Sequence, residues 1–216
     1  MQPMIKTQEQ YRSRVLALKR KILPASSVLI VTHDYPDPDC LASAFALSHL
    51  LAFWSVGVRT ITFGGFVGRA ENRAMLHVLD IPVTPALGVR PDAFEKVILI
   101  DSFPENGNVS LASATSFDAV LDHHPHSIPP DTDCFYEIRD DLGATSTLLT
   151  QYVLAAGCDL NPNLATALFY GIKTDTQDLA RSKSTEDLLC YKILFDTMDH
   201  YLLSRIEYPN RDAEYF

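Results

Sequence analysis

Carboxylates and imidazoles gather where the apolar runs of this sequence stop. In "VLIVTHDYPDPDCLASAFAL" (28–47), His33, Asp34, Asp37 and Asp39 stand between two apolar stretches. Asp101 closes "VILID", Asp122, His123 and His124 end "AVLDHH", and Asp175 follows "LATALFYGI" in "KTDT". A single aspartate at a strand end is ordinarily a turn former, and Asp39 has the place of a cap for a helix beginning near Cys40. Several together pose an electrostatic problem, because like charges at close range repel unless they share protons or bind divalent cations. His33, Asp37, Asp39, Asp101, His123 and Asp175 offer six ligating side chains, four of them anionic, enough to balance two dications. Oxygen donors with some imidazole suit Mn2+ or Mg2+, and a set without cysteine argues against a structural zinc. Asp101, between the two loop clusters, is the natural bridging ligand.

The elements that must bring these residues together are legible from periodicity. "TQEQYRSRVLALKRK" spaces Tyr11, Val15, Leu18 and Ile22 as one face of a helix, read as docking on the body over residues 1–24. "SVLIVT" (27–32) is a short β-branched run suited to a buried parallel strand. Residues 39–56 read as a helix apolar on nearly every side, with Gly57 as its stop. "VRTITF", "KVILID", "FDAVLD" and "CFYEI" supply further strands, and "AENRAMLHVLD" a helix between the first two. The later chain is helical in three stretches, the last being "STEDLLCYKILFDTMDHYLL", where Ser184 and Asp187 have capping-box spacing. The expected fold is therefore α/β, a mostly parallel sheet of about five strands covered by helices on both faces, with a largely helical C-terminal part. Ligands of such sheets bind beyond the carboxyl ends of the strands, which is where the acids and histidines fall.

Composition narrows the function classes. The chain has 216 residues, is 47% hydrophobic and carries a net charge of −9, which argues against wrapping long duplex nucleic acid but not against a small phosphorylated substrate. Four scattered cysteines, Cys40, Cys134, Cys158 and Cys190, read as reduced thiols of a cytoplasmic protein, Cys40 being a buried thiol in the first helical turn. No run approaches a membrane span, no signal-peptide pattern opens the chain, and no GxGxxG follows the first strand.

The set "THDYPDPD", "LIDS", "LDHHP", "GATST" and "YGIKTDT" resembles the N-terminal catalytic domain of the DHH phosphoesterases, over residues of about 25 to 200. "GRAEN" (68–72) is similar to the subgroup related to nanoRNase/pAp phosphatase, also called exopolyphosphatase-related. The resemblance implies a two-metal phosphohydrolase, usually manganese-dependent, with Mg2+ as the alternative, acting through a metal-activated hydroxide. It implies that His33 and Asp37 hold one ion, that Asp39, His123 and Asp175 hold the other, and that Asp101 bridges them. His124 lies near the substrate, so Asp101, His123 and His124 form the catalytic set; Arg69, Asn72 and Arg181 are candidate phosphate or base contacts. Gly143–Ser146 match the family's "GA-S" element, placed here at a helix N-terminus whose N–H groups can meet an anion or a ligating side chain. The leading substrates are short oligoribonucleotides or 3′,5′-bisphosphorylated nucleotides. Alternatives are inorganic polyphosphate or pyrophosphate, or a non-catalytic, metal-dependent nucleotide sensor. Expected partners are thus a small phosphorylated substrate or short single-stranded RNA, without a membrane, and with a homodimer left open. Two departures from the pattern stand out. Pro38 and Cys40 replace the usual glycine and alanine, and nothing matches the family's second, substrate-binding domain. Residues 25–205 are accordingly read as the catalytic domain, and 206–216 as the start of a linker to a domain absent from this chain.

Overall fold

The computed structural model describes residues 2–130 and 132–209. Six strands form one wholly parallel sheet in the order β3-β2-β1-β4-β5-β6, with β1 Ser27–Val31, β2 Val58–Phe63, β3 Val83–Pro85, β4 Lys96–Ile100, β5 Ala119–Asp122 and β6 Phe135–Ile138. The α/β class and parallel sheet are as the alternation of elements indicates. The sheet has six strands rather than five because Val83–Pro85, too short to show a period, pairs along β2 as an edge strand.

Around the sheet lie α1 Gln2–Ile22, α2 Pro38–Phe53, α3 Ala70–Val78, α4 Thr145–Ala156, α5 Pro162–Asp175, α6 Thr185–Thr197 and α7 His200–Glu207. Alternate strand residues feed two cores, as the period of 2 requires. Val28, Ile30, Ile98, Ile100 and Leu121 enter the larger one, to which every α-helix contributes; Leu29, Val31, Val97, Leu99 and Val120 enter the smaller one, to which none does. The two faces are therefore covered unequally. From β1 outward to β3 the right-handed crossovers carry α2 and α3. From β4 to β6 the winding direction reverses, so those connections fall on the opposite face, and they hold only 3₁₀ turns such as Pro104–Asn106 and Ala112–Ala114. The reversal between neighbouring β1 and β4 is a topological switch point, where such sheets open a crevice for ligands.

The proposed face of α1 is the buried one: Tyr11, Val15, Leu18 and Ile22 all enter the larger core. Helix α2 starts earlier and ends sooner than expected, with Ser55 rather than Gly57 in the left-handed conformation that stops it. Its N-cap is Asp37, whose carboxylate accepts from Cys40 N at 3.0 Å. Asp39 is not the cap, because Pro38 takes the first helical position, where its missing N–H costs nothing. The last helical stretch is two helices: Met198 turns extended and Asp199 caps α7. The linker expected from residue 206 begins inside α7, and its residues 210–216 lie outside the described ones. Among the described residues no helix is long and apolar enough to cross a membrane.

Candidate metal centre

Asp101 follows β4 with φ of 58°, a left-handed conformation that costs a non-glycine residue about 1 kcal/mol. Its N–H is held by Leu121 O at 2.8 Å, and the residue is 3% exposed. One carboxylate oxygen lies 3.8 Å from His33 Nε2; the other lies 3.8 Å from His123 Nε2 and accepts from Thr145 Oγ1 at 2.6 Å. Both imidazoles place Nδ1 against a backbone carbonyl, His33 on Asp34 O at 2.8 Å and His123 on Leu142 O at 3.4 Å. A carbonyl only accepts, so Nδ1 carries the proton in each neutral ring and Nε2 presents a lone pair to the carboxylates. His123 Nε2 also faces Asp39 at 4.0 Å and Asp175 at 3.2 Å, and His33 Nε2 faces Asp37 at 3.9 Å.

Asp39, 1% exposed, accepts from Thr145 N and Ser146 N, each at 2.7 Å. Ala144, the N-cap of α4, has no capping side chain, so Asp39 caps that helix from across the fold. Gly143 N donates to Asp187, whose buried carboxylate also accepts from Thr147 Oγ1 at 2.7 Å, Ser182 Oγ at 2.9 Å, Lys183 N at 3.0 Å and Ser184 N at 3.1 Å.

These acids meet without cationic partners: among the described residues no Lys or Arg forms an ion pair with Asp37, Asp39, Asp101 or Asp175. Burial, then the Asp175 and Asp37 charges, push Asp39 up to about 8. Burial with Asp39 beside it raises Asp101 well above the carboxylate range. Asp175 rises to about 6 through burial and Asp37, against the pull of His124, Arg181 and Lys183. Burial and the neighbouring His124 lower His123 to about 4, leaving a neutral ring. The donor set fits divalent cations. Gaps of 3.8–4.0 Å are too long for hydrogen bonds. Two donors sharing one ion at bond lengths of about 2.1 Å lie roughly 3.0–4.2 Å apart.

Residues 27–172 match the DHH family, N-terminal domain. The chain belongs to the DHH family. An uncharacterised protein of Methanocaldococcus jannaschii is 34% identical over 187 residues, 87% of this chain and 38% of that protein. A Bacillus licheniformis protein named a probable manganese-dependent inorganic pyrophosphatase is 23% identical over 75% of this chain and 52% of its own length. The chain thus spans about half or less of these relatives. An exopolyphosphatase-related protein from Bacteroides fragilis shares the fold, with a TM-score of 0.70 at 18% identity over 93% of this chain and 62% of that one.

The DHH triplet, Asp122-His123-His124, divides its labour. Asp122 is fully buried; its carboxylate accepts from His123 N and lies 2.8 Å from His124 Nδ1, which raises His124. The His124 side chain is half exposed at the centre's mouth. All six residues expected at the metals meet in one chain of contacts, whereas Cys40 is a fully buried thiol that burial holds protonated. Arg69 and Asn72 line a cleft of about 450 Å³ that also includes Asp37 and Asp175. Arg181 is exposed and reaches the centre through its charge on Asp175. Sequence reasoning placed the Gly143–Ser146 amides where they could meet a ligating side chain, as they meet Asp39, but missed the Thr145 hydroxyl and Asp122 as supports and saw Asp187 only as a helix cap. The available signal was "TSTLLT", four hydroxyl residues opening an otherwise largely apolar helix, all of which the fold buries.

Proposed function

We propose that this DHH domain hydrolyses phosphoester bonds of short oligoribonucleotides or 3′,5′-bisphosphorylated nucleotides with two divalent cations, Mn2+ before Mg2+. The observation that carries the reading is Asp101, one oxygen toward each of two imidazoles whose lone pairs face carboxylates. A lone pair faces a carboxylate only with a proton or a cation between them, and a 3.8 Å gap is too long for a shared proton and right for a shared cation. His33 and Asp37 would hold one ion, Asp39, His123 and Asp175 the other, and Asp101 both. Bound there, dications lower the pKa of water and neutralise phosphoryl charge. The chain's own groups do the rest. Thr145 Oγ–H fixes the Asp101 carboxylate, and the α4 N–H groups fix Asp39. Asp122 favours the protonated form of His124, whose Nε2–H can donate to a phosphoryl or leaving oxygen. Arg69 and Arg181 suit the substrate's remaining phosphate oxygens.

The name of the Bacillus relative supports manganese and a second reading, hydrolysis of inorganic pyrophosphate, and polyphosphate is the related inorganic alternative. The test is calorimetric titration of the chain with Mn2+, followed by incubation with a 5′-phosphorylated diadenosine dinucleotide, adenosine 3′,5′-bisphosphate and pyrophosphate. The expected result is two Mn2+ per chain and release of mononucleotide from the organic substrates. Faster turnover of pyrophosphate would favour the second reading; failure to bind any Mn2+ would overturn both.

A further inference from the structure

Two aromatic side chains stand in solvent beside the centre. Tyr35 is 59% exposed and Phe66 is 65% exposed, and their rings meet edge to face with centroids 5.1 Å apart. Tyr35 lies two residues from Asp37 and lines the same cleft as Asp37, Arg69, Asn72 and Asp175. It takes a φ of 57°, where glycine or asparagine is the cheaper choice for a turn. Gly65, itself left-handed, makes room for the ring: a Cβ there would stand 2.5 Å from Tyr35 Cε1. The loop beneath is tied down, with Tyr35 N on Gly64 O at 3.0 Å, Asp34 N on Asn108 O at 2.7 Å and Ser110 N on Asp34 at 3.1 Å. A purely structural turn needs no solvent-facing ring at a left-handed position.

Asn72, 5% exposed, is part of the cleft wall. Its Nδ2 donates to Pro36 O at 3.4 Å, and its Oδ1 has no partner among the described residues. A buried amide oxygen in that state favours a ligand that brings a donor. Arg69, exposed on the rim, adds a cation able to meet a phosphate or stack on a planar ring.

We infer that Tyr35 and Phe66 form a nucleobase platform, so that the site takes a nucleoside phosphate, with its base stacked on the aromatic pair and its phosphate at the metals. The proposal rests on the two-metal reading above and deepens it, since an inorganic phosphate has no use for the platform. Base–aromatic stacking tolerates every base, which suits short oligonucleotides of mixed sequence.

The test is calorimetry with saturating Mn2+, using adenosine 5′-monophosphate, ribose 5-phosphate and inorganic phosphate as probes. The nucleotide is expected to bind roughly 5- to 150-fold tighter than the other two, the range that one stacked base commands. Tyr35→Ala removes that advantage while leaving phosphate affinity in place, which also shows that the variant is folded; Tyr35→Phe keeps it. Equal affinity of the three probes for the wild-type chain overturns the platform alone. So does a Tyr35→Ala variant that weakens all three alike. Absence of Mn2+-dependent binding of every probe overturns the metal reading and the platform with it.

Discussion

Titration of the metal-free protein between pH 6.5 and 8 should lower its stability, and manganese should reverse the trend. In the unfolded chain the Asp39 carboxyl ionises near 3.8, whereas the fold raises it to about 8. Between those values the folded state holds a proton that the unfolded state has lost, so stability falls as pH rises. Below 6.5 the measurement is confounded, because His123, lowered to about 4, contributes the opposite slope up to the ordinary histidine value of 6.5. Asp175, raised to about 6, has largely ionised by the start of the window. From pH 6.5 to 8, Asp39 alone removes about 1.7 kcal/mol at 1.36 kcal/mol per pH unit of proton difference. Asp101 adds a loss of the same sign. For a chain of this size, 1 kcal/mol moves Tm by about 2–4 °C, so the Asp39 contribution alone should lower the Tm of the metal-free protein by roughly 3–7 °C. Manganese binds the deprotonated carboxylates, so the stabilisation it confers should grow with pH, reaching about 2.7 kcal/mol at a hundred times Kd. Differential scanning calorimetry with and without chelator reads both slopes. His124, which Asp122 raises, adds a loss of the same sign as pH climbs from 6.5, so the decisive quantity is wild type minus Asp39→Asn. A wild-type Tm that stays level or rises, or an Asp39→Asn variant whose slope equals that of the wild type, would refute the account of buried, uncompensated acids.

Other substitutions separate the centre from its supports. Asp101→Asn should abolish the second Mn2+ equivalent in calorimetry, whereas His49→Gln, whose ring only bonds Phe45 O at 3.2 Å and packs on Phe45, should keep both and cost under about 1 kcal/mol. Asp187→Asn turns one acceptor of a carboxylate ringed by donors into a donor. It should cost about 2–4 kcal/mol in urea unfolding and weaken Mn2+ affinity through Gly143 and α4, although Asp187 is not among the six residues around the metals. Gly171→Ala gains about 1 kcal/mol of helix propensity, but its Cβ would collide with Ser146 Oγ and sit 3.1 Å from Ala42 Cβ; Tm should fall despite the gain.

Much of the fold was legible. Apolar β-branched runs with acids at their ends mark buried parallel strands with polar mouths, and Tyr11, Val15, Leu18 and Ile22 repeat at a helical period that only burial explains. What escaped did so for particular reasons. Val83–Pro85 is too short to carry a period. Apolar spacing continues through "LFDTMDHYLL", so the break at Met198 shows only in the backbone and in the Asp199 cap. Right-handed crossovers on both sides of the switch point predict two covered faces, but not that the second is closed by 3₁₀ turns.

The sequence by itself determined which side chains could bind cations and that a parallel sheet would send the loops after its strands to one edge, because residue type and apolar period are local properties of the chain. Only the tertiary structure decided how they are held. Asp39 on the Thr145 and Ser146 amides, Asp187 on Gly143, and His123 and Asp101 beside the Asp175 that ends α5 are contacts between segments far apart in sequence. Their energies come from desolvation and charge proximity, quantities that do not exist until the chain has closed around them.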